Sequence, residues 1–131
     1  MILESEPVVI FQPSAKVFDF ISKPSNLGVL MPDQVINWKA TADSCSFTIQ
    51  GMTDLELKVK ERIPVSYFSL VPTGKTPFNF TLAARIIEKG QGSEVVFLID
   101  ADLNPMLAMM AKRPLLNLVQ IMAKKLSETS L

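Results

Sequence analysis

Two aspartates, one cysteine, three polar side chains and a group of methionines are the residues whose type or spacing invites a chemical reading. Asp100 and Asp102 stand two apart on one strand face, with Glu94 on the same side. Paired carboxylates can share a proton, hold a hard cation or divide acid and base work. Both lie opposite the apolar side of their strand, where a solvated face is the stronger reading. Cys45 falls on the apolar side of another strand, and the chain has no His. Without a base or a positive field a thiol stays a thiol, so Cys45 reads as a small buried hydrophobe. Tyr67, Arg62 and Arg85 are groups that a cavity uses for orientation, but the sequence alone assigns none of them a place. Met106, Met109 and Met110 share one face of a helix. Methionine is flexible and polarisable, which suits contact with varied apolar partners. No residue is assigned a catalytic role, no metal-ligand set is found, and no cofactor is expected.

The composition narrows the field further. The chain has 131 residues, with 13 Lys plus Arg against 13 Asp plus Glu, and a single Cys. That length suits one domain, residues 1–131. A zero formal charge leaves no electrostatic footprint for nucleic acid, so no nucleic-acid partner is expected. One Cys forms neither an internal disulfide nor a CxxC pair. The start, Met-Ile-Leu-Glu-Ser-Glu, carries acids where a secretory signal needs basic and then apolar residues. The apolar zone from Leu103 to Met122 is interrupted by polar residues and prolines and is too broken for a spanning helix. The expectation is a cytoplasmic protein with no transmembrane segment; an oligomer or protein partner is not indicated.

The elements that must position these residues are legible in the patterning. Leu3 to Phe11 alternates as a strand with Leu3, Ser5, Pro7, Val9 and Phe11 on one side, and Pro7 marks an edge or a bulge. Pro13-Ser14 opens a helix that buries Val17, Phe18 and Ile21. Ser25 to Met31 forms a second short helix with Leu27, Leu30 and Met31 apolar, closed by Pro32. Six short strands follow, separated by turn residues. Their apolar sides carry Ile36, Trp38 and Ala40; Cys45, Phe47 and Ile49; Leu55, Leu57 and Val59; Phe68; Phe80, Leu82, Ala84 and Ile86; and Val95, Phe97, Ile99 and Ala101. Short turns between consecutive strands argue an antiparallel meander. A last helix runs from about Pro105 to Leu126, with Asn104 as its cap. Pro114 removes an N–H and presses on the Met110 carbonyl, which predicts a kink or break near residues 110–114.

This order, together with the stretch Gln12-Pro13-Ser14-Ala15-Lys16-Val17-Phe18-Asp19-Phe20-Ile21-Ser22 and the later Leu30-Met31-Pro32, resembles the helix-grip fold of the START-like superfamily, also called SRPBCC. That superfamily includes birch-pollen-allergen-like proteins, polyketide cyclases and lipid-transfer domains. The segments from Thr41 to Ile49 and from Asp100 to Met106 resemble a small uncharacterised subgroup of it. The resemblance implies an α+β fold in which a curved seven-stranded antiparallel sheet wraps the long C-terminal helix, with two short helices between strands one and two. It also implies an apolar cavity between helix and sheet. The expected lining is Leu30, Trp38, Phe47, Leu57, Phe68, Phe80 and Phe97 from the sheet side, and Met106, Met109 and Met110 from the helix. The expected function is a binding or carrier domain for a small hydrophobic molecule. The alternatives are a cofactor-free cyclase or dehydratase-like enzyme, which needs an acid–base group in the cavity, and a protein-interaction module presenting Leu107, Met109 and Met110.

Overall fold

A computed structural model describes residues 1–51 and 53–131. The elements follow the patterning closely: β1 Ile2–Glu4, β2 Val8–Ile10, α1 Ser14–Ile21, α2 Pro24–Leu27, a 3-10 turn at Gly28–Leu30, β3 Val35–Ala40, β4 Ser44–Ile49, β5 Thr53–Ile63, β6 Tyr67–Pro72, β7 Phe80–Lys89, β8 Gly92–Ala101 and α3 Pro105–Ser127. The sheet has 8 strands in the order β1-β8-β7-β6-β5-β4-β3, with β2 also on β8, and each of these pairings is antiparallel. The architecture is a helix-grip fold. Apolar side chains from β4 to β8 share one core with α1, α2 and the end of α3.

The predicted first strand is two strands, and Pro7 is the reason. It has no N–H for the ladder, so pairing with β8 stops and restarts. Glu4 stands opposite Leu98 and Val8 opposite Val95, which leaves one extra residue on the first-strand side. The freed groups are satisfied individually. Ser5 donates its N–H to the Phe97 carbonyl at 2.8 Å, its Oγ accepts from the Phe97 N–H at 3.0 Å, and Glu6 donates its N–H to Gln120 Oε1 on α3 at 2.9 Å. The extra residue inverts the parity beyond it. Leu3 and Ser5 are buried as expected, but Ile10 is buried next, while Val9 and Phe11 face solvent.

A second irregularity falls in β3, where the register with β4 shifts between Ile36 and Lys39 and Asn37 takes a positive φ of 58°. Ile36 and Trp38 were expected on one face; the shift separates them. Ile36 is turned outward, opposite Thr48, while Trp38 stacks on Phe47 with ring centroids 5.0 Å apart. Its Nε1 donates to the Pro24 carbonyl at 3.0 Å. Gly28 has no side chain because the Trp38 ring lies against it: a Cβ there would meet Trp38 Cδ1 at 2.7 Å.

The last helix runs through Pro114 without the break that was one of the two expected outcomes there. The carbonyl that loses its partner belongs to Met110, an exposed residue whose backbone water can serve. Asn104 caps the helix as expected, accepting from the Leu107 N–H at 2.9 Å. Its buried residues, Val119, Met122, Ala123 and Leu126, form an i, i+3, i+4, i+7 stripe at its C-terminal end. That end is pinned by Lys125, whose Nζ donates to the Met31 carbonyl at 2.6 Å. Among the described residues, no helix is long and apolar enough to cross a membrane.

Candidate functional site

The phase of α3 decides where the expected lining falls. Counting back from Val119 in steps of 3.6 residues, the half-buried Leu115 and Ala108 continue the inward side, while Met106 and Met110 fall on the opposite side. Met106, Met109 and Met110 were expected to floor a pocket between helix and sheet. They stand instead at the surface, 73%, 88% and 71% exposed. The shared helical face was legible; that it points outward was not, until the buried stripe fixed the rotation.

The other seven expected residues divide into two sets. Leu30, Leu57, Phe68 and Phe97 are no more than 2% exposed, and Phe47 is also buried; all five belong to the closed core. Trp38 and Phe80 are half-buried against its margin. Leu55, Phe78, Leu103 and Leu115, absent from the expected set, are among the other partly buried residues packed against the core. Phe78 and Phe80 lie in a tilted pair with centroids 5.8 Å apart. Strand parity signals Leu55, since it sits opposite Phe47 on the inner face. Phe78 lies in the loop before β7, where alternation gives no signal.

Closure is therefore uneven along α3. From Val119 onward its inward side chains are buried, whereas Leu107, Ala108, Ala111 and Leu115 are only half-buried. The core is closed around α1 and the 3-10 turn, while the inward residues at the start of α3 and Phe78 before β7 are only half-buried. The chemistry at that loose end is almost wholly apolar burial.

Of the three polar candidates, two face away from this interior. Tyr67 and Arg85 are paired opposite one another on the convex side of the sheet, and Arg85 forms an ion pair with Glu4. Arg62 is different, because a register shift between Val59 and Glu61 sets it opposite Phe68. Its guanidinium carbon lies 5.8 Å from the Phe68 ring centroid. It donates to the Ser22 carbonyl at 3.3 and 3.4 Å, to the Ala42 carbonyl, and to Asp43 Oδ1 at 2.9 Å. Arg62 thus ties β5 to the end of α1 and to the β3–β4 turn, with no donor aimed into the apolar margin.

Cys45 is 2% exposed and belongs to the core. Burial pushes its thiol up from 9.0 to about 11, opposed by a backbone hydrogen bond from Leu57. The protonated form is favoured in the folded state, so this group's stabilisation is complete below the ordinary thiol range and is lost as pH rises toward 11. We expect Cys45 to resist alkylation at about pH 8 until denaturant is added. We also expect the denaturant midpoint to fall between pH 9.0 and 11 more steeply in the native chain than in Cys45→Ala. Rapid labelling of the folded protein would contradict this placement.

Asp100 and Asp102 lie on an open groove of about 520 Å³ shared with Val71, Pro72, Asn79 and Thr81. A second open groove of about 450 Å³ runs over β3, β4 and β5 past Lys39, Ser46, Thr48, Asp54 and Glu56. No group of three or more His, Cys, Asp or Glu side chains converges to hold a metal among the described residues.

No protein-family profile and no curated protein sequence matches the chain. Solved structures do. Norcoclaurine synthase from Thalictrum flavum superposes with a TM-score of 0.75 at 10% identity, over 98% of this chain and 84% of that one. A protein from Thermus thermophilus gives 0.70 at 13% identity, over 98% and 95%. A conserved protein from Geobacillus kaustophilus gives 0.68 at 14% identity, over 98% and 93%. At these identities the likeness is one of fold.

Proposed function

We propose that the chain is a binding or carrier domain for a small hydrophobic molecule, held at the loose end between the first half of α3 and the inner face of the sheet. The observation that carries this reading is the uneven closure: one half of α3 is sealed into the core while Leu107, Ala108, Ala111 and Leu115 stay half-buried, as do Leu55, Phe78 and Phe80 at the edge of the core. Trp38 would extend the apolar wall, and the core residues Leu30, Phe47, Leu57, Phe68 and Phe97 would form its closed back. A ligand there gains roughly 25 cal/mol for each Å² of apolar surface removed from water.

The test uses anilinonaphthalene sulfonate as the probe. The folded chain is expected to bind it saturably at one site with a blue-shifted emission. Ala108→Trp, which fills the opening from the inward side of α3, is expected to abolish binding while the far-UV spectrum is kept; Ala108→Leu is expected to weaken it. Absence of saturable binding by the native chain, or binding unchanged in a folded Ala108→Trp, would overturn the proposal.

A further inference from the structure

The outward face of α3 carries a feature that ligand binding at the inward face does not use. Met106, Met109 and Met110 are 73%, 88% and 71% exposed, among the most exposed large apolar side chains of the protein. Met106, Met110 and Arg113 form an i, i+4, i+7 row; Met109 lies beside it, and Lys112, three residues after Met109, borders the face on that side. Lys112 and Arg113 are both exposed, and neither makes an ion pair among the described residues. The whole helix, Pro105–Ser127, contains Lys112, Arg113, Lys124 and Lys125 and not one Asp or Glu. This is a marked local bias in a chain whose charges cancel overall. Asp100 and Asp102 precede the helix but lie on the groove shared with Thr81 and Val71.

We propose that the first half of α3 docks on an anionic lipid surface, with Met106, Met109 and Met110 seated among the acyl chains near the headgroups and Lys112 and Arg113 against the lipid phosphates. An apolar face bordered by cations and free of acids is what an interfacial helix requires, since apolar burial and electrostatic attraction then act together. These methionines are largely exposed to water, whereas a bilayer interface accepts flexible thioether side chains without a fitted partner. The charge bias selects this occupant over a neutral apolar partner. The contact leaves the inward face of α3 untouched, so the inference stands apart from the proposed ligand site.

Vesicle co-sedimentation tests it. The native chain is expected to pellet with phosphatidylcholine vesicles containing about one-third phosphatidylglycerol at low salt and to be released near 0.5 M salt, where charges are screened within a few Å. It should bind pure phosphatidylcholine only weakly. Met109→Ser combined with Met110→Ser is expected to lower partitioning at least about tenfold, and Lys112→Glu or Arg113→Glu at least about fivefold each. The methionine and Arg113 substitutions should leave unfolding and probe binding unchanged, and a folded Ala108→Trp should still pellet. No binding to anionic vesicles, or binding indifferent to these changes, overturns the proposal. A concentration-dependent dimer that the methionine substitutions dissolve would assign the face to a second copy instead, and equally overturns it.

Discussion

Phe97→Ala is expected to destabilise the fold by about 3–5 kcal/mol, whereas Met110→Ala should change stability by less than about 0.5 kcal/mol. Phe97 is 1% exposed and sits in the middle of β8, the strand that pairs β1, β2 and β7. Its ring is shared among the elements of the single core, so truncation leaves a void that the surrounding strands have little freedom to fill. Its backbone also anchors the interrupted first strand through both bonds to Ser5. Met110 is 71% exposed, so its truncation removes little packed surface. Urea unfolding of the two variants measures the contrast directly. Similar losses for both would mean that α3 is rotated from the orientation described, with the methionine face inward. A negligible loss for Phe97→Ala would mean that the core does not close around β8.

Arg62→Ala is the second large effect, expected at about 1.5–3 kcal/mol. The guanidinium serves three acceptors on two separate segments, the carbonyls of Ser22 and Ala42 and the Asp43 carboxylate, while covering the Phe68 ring. Removing it leaves two backbone carbonyls short of a donor at the junction of α1, the β3–β4 turn and β5. Its 36% side-chain exposure lets water replace part of that bonding, which keeps the expected loss below that of a fully buried ion. The planar fork matters more than the charge. Arg62→Lys should therefore recover less than half of the lost stability. The Asp43 pair is the exposed component, and Asp43→Ala should cost under about 1 kcal/mol. Full rescue by lysine would show that Arg62 acts as a point charge and not as a fork.

The candidate site was legible to different depths along the chain. Phe47, Leu57, Phe80 and Phe97 face inward as their alternation predicts, because each lies on a stretch with uninterrupted pairing. What alternation does not reveal is how far each is sealed, since burial depends on what packs above. Leu57 and Phe97 lie under closed core, while Phe80 lies at its margin. Arg62 was marked as a polar candidate, but its placement needed the shift between Val59 and Glu61. A bulge is specified by the register of two strands together, and one strand's sequence carries only half of that information. Val9 and Phe11 were given the wrong side for the same reason, even though Pro7 announced that a bulge or an edge was near.

By itself, the sequence determined the element order, the antiparallel meander, the Asn104 cap and the absence of histidine chemistry anywhere in the chain. These follow from local sterics and from side-chain periods of 2 and 3.6, which act within a few residues. It also determined that Met106, Met109 and Met110 share a helical face. Only the tertiary structure decided which way that face looks. A helix with apolar residues around most of its circumference has several stripes it can bury. The choice fell to Val119, Met122, Ala123 and Leu126 because they meet the shared core while Lys125 reaches the Met31 carbonyl. That one rotation moved three methionines from an expected pocket floor to the surface, and with them the chemistry that the helix presents to its surroundings.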